Sequence, residues 1–196
     1  NNLLGIYQSN ISSDFNQVIL DFSKCIDIYP NYLEARNYRA QAIISGLRTK
    51  QTDHLVDTAI NDINISLEYV DDYEFTTETS LKFFKLQNHA NRAIINSYLG
   101  NFSSVYSDTN IIIDYSKDSL NTEIYLEKFV LGNLLKFNLL SDKNSLYYDV
   151  SEICKNLNDF TSIINPIMDN INLNNPLIFN GINQLVNASI YEYDCL

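Results

Sequence analysis

This sequence predicts an all-α fold of antiparallel helix hairpins, and three observations predict it. Only five glycines and three prolines interrupt 196 residues, of which 45% are hydrophobic. No Val/Thr-rich run alternates apolar with polar residues as a half-buried strand would. Residues 14–46, DFNQVILDFSKCIDIYPNYLEARNYRAQAIISG, carry two apolar stripes at helical spacing around one Pro-Asn turn. Phe15, Val18, Ile19, Phe22 and Ile26 form the first; Ala35, Tyr38, Ala42 and Ile43 form the second. Two amphipathic helices joined by a tight turn cannot bury both faces alone, so each hairpin needs a neighbour of its own kind.

Residues 1–10 read as the tail of a helix, and Ser12-Ser13-Asp14 supplies side-chain acceptors for the orphan N–H groups of the next one. That helix runs to about residue 28. Pro30 stops it by removing a donor and restricting the residue before it. The following helix spans 32–45, with Gly46 suited to a left-handed C-terminal cap. A polar loop over 47–53 leads to a helix over 54–69, and an acidic loop, 70–78, follows. Thr77 is the expected N-cap of a longer helix over 78–99. Gly100-Asn101 turns the chain into a helix over 102–115. A fourth pair, 122–139 and 145–157, rests on periodicity and turns at 141–144. Pro166 and Asn175-Pro176 punctuate the remainder. Asn175 caps, and Pro176 opens, a last helix over 177–191 that is apolar at Leu177, Ile178, Ile182, Leu185, Val186 and Ile190. The reading is one domain over 1–196: clearest repeats at 14–115, divergent helices at 120–157, C-terminal capping helices at 160–192.

Val18, Phe22, Cys25 and Pro30-Asn31 occupy the small, aromatic, small and turn places of a tetratricopeptide repeat junction, which this stretch resembles. Tyr38-Arg39-Ala40 stands where that family often has Asn-Arg-Ala. Ala59, Ile63, Ser66 and Leu67 repeat the second-helix places. Asn91, Arg92, Ala93, Leu99, Gly100, Asn101 and Phe102 match the end of a first helix and the turn after it. Matches cover about the first two thirds of the chain. Comparable positions at Val18, Ala59 and Val105 give a period of roughly 40 to 46 residues, against roughly 34 for the standard repeat. The excess falls in the loops 47–53 and 70–77. The resemblance implies a right-handed α-solenoid whose first helices line a concave groove. Its groove residues here would be Glu34, Asn37, Tyr38, Gln41 and Ile44, then Gln87, Asn91, Ile94 and Tyr98. Amides can bond a peptide backbone and tyrosine faces can hold apolar side chains. Co-chaperone members grip a C-terminal carboxylate with Lys, Asn and Arg on successive helices. The matching places here are Asn37, Gln41, Asn91, Leu126 and Val130. Only Asn91 fits, so chaperone tails are not expected to bind.

Net charge is −11 and the pI about 4.4. Phosphate binding needs a basic surface, so nucleic acid is disfavoured and a basic protein partner mildly favoured. No apolar run nears the roughly 20 residues of a membrane span. Residues 129–140 are interrupted by Gly132, Asn133, Lys136 and Asn138; insertion is not expected, and peripheral attachment to a membrane complex stays open. Cys25, Cys154 and Cys195 lack CxxC spacing and read as buried, reduced thiols of an intracellular reducing compartment. The start at Asn1 reads as a processed or trimmed chain. Asn is roughly one residue in seven, well above ordinary usage. An AT-rich coding sequence explains that together with the abundant Ile and Tyr, and makes the sequons at Asn10, Asn64, Asn101 and Asn187 chance expectations.

No Gly-rich phosphate loop and no metal-ligand spacing occur. His54 and His89 lie on separate helices, and His89 reads as an ordinary helix residue. Asp71-Asp72-Glu74 lacks the alternating oxygens and Gly of a calcium loop. The expectation is a non-enzyme without metal or cofactor: a protein-interaction scaffold, structural or assembly subunit first, peptide-capturing adaptor second, helical enzyme a distant third.

Overall fold

The computed structural model describes residues 15–74, 78–120, 122–143, 146–170, 175–189, 193 and 195. The described residues are all-α, with no strand among them. In order they form α1 (Phe15–Ile28), α2 (Leu33–Leu47), α3 (Val56–Tyr69), α4 (Glu78–Leu99), α5 (Phe102–Ser116), α6 (Glu123–Ser141), α7 (Val150–Ile164) and α8 (Pro176–Asn187). Short 3₁₀ turns at Asp53–Leu55, Val70–Asp72, Lys117–Ser119 and Asn165–Asn170 join them. Two compact units result, divided within α4 between Ile95 and Asn96. No described helix is long and apolar enough to cross a membrane. The expectations for residues 1–14 and for the Thr77 cap lie outside the described residues.

In the first unit α2 packs against both α1 and α3. Sandwiched in this way, it buries Ala35, Ala40, Ala42, Ile43, Ile44 and Leu47 around much of its circumference. Phe15, Ile19, Val56, Ala59, Ile63 and Ile95 close the same core. Leu33, Val70 and Phe84 make a smaller second one. Gly46 is not the left-handed cap its position suggested. It stays helical, and the left-handed residue is Lys50, at φ 58°. Glycine is needed at 46 for space: a Cβ would lie 2.5 Å from Thr52 Cγ2, and Thr52 Oγ1 donates to the Ile43 carbonyl at 2.6 Å. Gly100, at φ 73°, does supply the expected left-handed turn.

The second unit is arranged around α6, which α5, α7 and α8 all touch. A helix covered on all sides carries no polar stripe, and here even Asn133 and Lys128 are buried. Phe129 stacks on Phe160 of α7 at 5.7 Å between centroids. Gly132 lets α5 approach, since a Cβ there would stand 2.9 Å from Ile112 Cγ2. The start of α7 corrects the expected 145–157. It begins at Val150 because Asp149 caps it, its carboxylate accepting from Ser151 N and Glu152 N at 2.8 and 3.2 Å. Asn175 and Pro176 open α8 as expected, with Asn175 Oδ1 accepting from Leu177 N. Leu177, Ile178, Ile182 and Leu185 are buried, Val186 is half-buried, and Ile190 lies outside the described residues.

The cysteines also correct the sequence reading. Cys154 on α7 is disulfide-bonded to Cys195, 41 residues on, with Cα atoms 5.1 Å apart. Residue 195 is thereby brought back to α7, where Asn158 Nδ2 donates to the Cys195 carbonyl, while Cys195 N donates to the Ser189 carbonyl just past α8, each at 3.1 Å. Spacing along the sequence carries no trace of that return. Cys25 is a free, half-buried thiol.

Candidate functional site

The expected groove residues lie on α2 and α4. Asn37, Gln87 and Asn91 are buried and bond one another. Gln87 Nε2 donates to Asn91 Oδ1 at 3.0 Å, and Asn91 Nδ2 donates to Asn37 Oδ1 at 2.8 Å. This amide chain joins α2 to α4 across 54 positions of sequence. A partner's backbone would have to displace bonds already made, at a cost of roughly 1 to 3 kcal/mol for each group left unpaired. Ile44 sits in the core and Ile94 packs against it. Glu34 and Gln41 are half-buried. Tyr38 is 50% exposed and stacks on Phe22 of α1, with ring centroids 5.5 Å apart. Tyr98 is exposed on the last turn of α4, beyond the division between the units.

Beneath this face lies a charged staple that the sequence reading missed. Asp62 of α3 is fully buried. Arg39 donates to both its oxygens, Nε to Oδ2 at 2.7 Å and Nη2 to Oδ1 at 2.8 Å. Arg36 Nη1 reaches Oδ1 at 3.0 Å. Arg39 Nη1 also donates to Ser23 Oγ of α1, so one guanidinium spans three helices. Arg36 Nε and Nη2 donate to the Pro30 carbonyl at 3.1 and 2.8 Å, clamping the α1–α2 turn from inside. Planar guanidinium forks suit this divided duty, which a lysine could not perform. Arg39 stood in a motif place, but nothing adjacent in sequence named Asp62 as its partner.

The clamped turn carries a second feature. Ile28, Tyr29, Pro30, Asn31, Tyr32 and Tyr73 line a shallow pocket of about 440 Å³. Ile28 is 68% exposed and Tyr29 64%. Burial and a hydrogen bond donated to Glu34 push the Tyr73 phenol well above its ordinary value of 10.0, with Tyr32 close enough to add to the effect. Glu34 Oε2 is buried with no hydrogen-bond partner. In the sequence Tyr29-Pro30-Asn31 reads as a turn, Tyr73 as part of the acidic loop and Glu34 as a groove residue, with nothing to join them. The available signal was a run of exposed aromatics around a proline.

No group of three or more His, Cys, Asp or Glu that could hold a metal ion occurs among the described residues. His54 is exposed and His89 half-buried, on separate elements. Fold and site together define an all-helical protein whose polar interior ties helices to one another. Compared with protein-family models, curated proteins and solved structures, the chain matches none at a significant level.

Proposed function

We propose that this chain is a non-enzymatic protein-interaction scaffold of the tetratricopeptide type, serving as a structural or assembly subunit of a larger complex. Its hairpins stack as a right-handed solenoid, and its partners are proteins with basic surfaces. The observation that carries this reading is the Gln87–Asn91–Asn37 amide chain. It joins the two helices that repeat stacking would make neighbours, and it occupies the polar groups a peptide would need. An inner face already satisfied by its own amides suits a rigid spacer better than a peptide clamp. The second reading, an adaptor that captures a peptide, draws on exposed Tyr38 and half-buried Gln41.

Native purification with cross-linking separates the two. A subunit co-elutes with its partners at fixed stoichiometry after dilution, and cross-links spread over several surfaces. An adaptor loses its clients on dilution, and its cross-links gather around Tyr38 and Gln41. A chain that stays alone in both formats refutes the scaffold reading.

A further inference from the structure

The tyrosine-lined pocket at the α1–α2 turn has the chemistry of a receptor for one cationic side chain. We propose that it receives an Arg or Lys of a basic partner segment, held over the tyrosine faces and neutralised by Glu34. This rests on the scaffold reading and names where its partner docks.

Four observations carry it. First, the walls are aromatic: Tyr29, Tyr32 and Tyr73 line one pocket, and aromatic faces attract cations. Second, the pocket sits beside an unfinished carboxylate. Tyr73 of the pocket wall donates a hydrogen bond to the Glu34 carboxylate behind it, whose Oε2 is buried and accepts from nothing. Such an oxygen is costly unless a donor arrives. Third, the surroundings are acidic. Asp27, Asp72 and Glu74 are exposed in the segments that build the pocket. Cations on or facing these segments are paired with other groups: Lys24 with Asp21, Arg36 with Asp62 and the Pro30 carbonyl, and Lys85 of α4 with Asp71. Fourth, the turn is already rigid. Tyr32 N donates to the Tyr29 carbonyl at 3.0 Å, and Arg36 fixes Pro30 from below. Little order has to be imposed on binding, which is where exposed tyrosines contribute most to an interface. An apolar occupant would leave Glu34 unanswered, and an acidic one would be repelled.

The test uses the full chain and a library of blocked decapeptides, randomised except for a central Arg, Lys, citrulline, Leu or Glu. Binding is read by titration, and contact by NMR shifts of the tyrosine rings. The Arg and Lys pools are expected to bind at least about tenfold more tightly than the citrulline, Leu and Glu pools, with shifts at Tyr29, Tyr32 and Tyr73. Tyr29→Ala and Glu34→Gln should each remove most of that preference. Tyr115→Ala and Asp57→Asn, an exposed tyrosine and an exposed carboxylate elsewhere, should keep it. Circular dichroism confirms that each variant is folded. Equal binding by all pools overturns the proposal. So does a preference that survives Tyr29→Ala, or a Glu34→Gln effect no larger than that of Asp57→Asn, which would signal diffuse attraction. Nuclear Overhauser contacts to Tyr29 from another part of the chain or from a second copy also overturn it. A fixed complex whose cross-links avoid the turn ends this inference and leaves the scaffold reading standing.

Discussion

Asp62 is the residue whose loss should cost the first unit most. Its carboxylate is fully buried and accepts three charge-assisted bonds, at 2.7, 2.8 and 3.0 Å, from two arginines whose own side chains are only 13–14% exposed. In Asp62→Asn one oxygen becomes an NH₂ group facing the Arg39 Nε donor, and the arginines lose their counter-charge. Three such bonds at about 1.5 to 3 kcal/mol each would sum to more than is expected, because the guanidiniums can partly rehydrate. Breaking a buried pair typically costs about 3 to 5 kcal/mol, and the lower end applies here. For a unit of this size, 3 kcal/mol corresponds to a fall in melting temperature on the order of 15 °C. Urea unfolding followed by circular dichroism measures it, with Asp57→Asn on the exposed side of α3 as the reference. Removing Arg39 first should shrink the Asp62 effect by more than about 1 kcal/mol, since the two side chains act as one network. If Asp62→Asn costs no more than about 0.5 kcal/mol beyond Asp57→Asn, the staple is not holding the helices together.

Two further outcomes concern the second unit. Gly181→Ala should destabilise by about 1 to 3 kcal/mol in thermal unfolding, because the new methyl would meet Val130 Cγ1 and stand 2.9 Å from Leu134 Cδ1; a stabilised variant would mean that helix propensity outweighs this contact. Cys195→Ser opens the 41-residue separation closed by the disulfide and should cost roughly 2 to 4 kcal/mol by the chain-entropy argument, read as a lower urea midpoint; an unchanged midpoint under both oxidising and reducing conditions would show that the bond does not constrain the unfolded chain.

Helix positions were legible where the apolar period and a punctuating residue agreed. Pro30, Gly100 and Asn175-Pro176 each mark a boundary that the structure keeps. The failures have separate physical causes. Gly46 was read for its φ freedom, when the need was room for Thr52, a contact nine residues removed from the carbonyl that Thr52 also binds. Periodicity alone starts α7 too early, because an apolar period does not mark a first turn; Asp149, with Glu152 three residues on, does. The disulfide is a contact between distant positions, and an odd cysteine count points away from it.

The candidate site was legible in residue type but not in role. Asn37, Gln87 and Asn91 stand on α2 and α4 where expected, and their amides do meet hydrogen-bond partners. Those partners are one another. Sequence periodicity tells which face of a helix a residue occupies; it does not tell whether another helix covers that face. A polar residue on a covered face must be satisfied internally, and two amides can achieve that together, each serving as donor and acceptor. The same accounting leaves Glu34 Oε2 without a donor, as it leaves Ser66 Oγ, Asn88 Oδ1, Asn156 Oδ1 and Ser189 Oγ. What sets Glu34 apart is its neighbour: Tyr73, which donates to it, also lines the pocket at the α1–α2 turn, so the unanswered carboxylate marks a candidate site by its place beside an open wall and not by the missing bond alone.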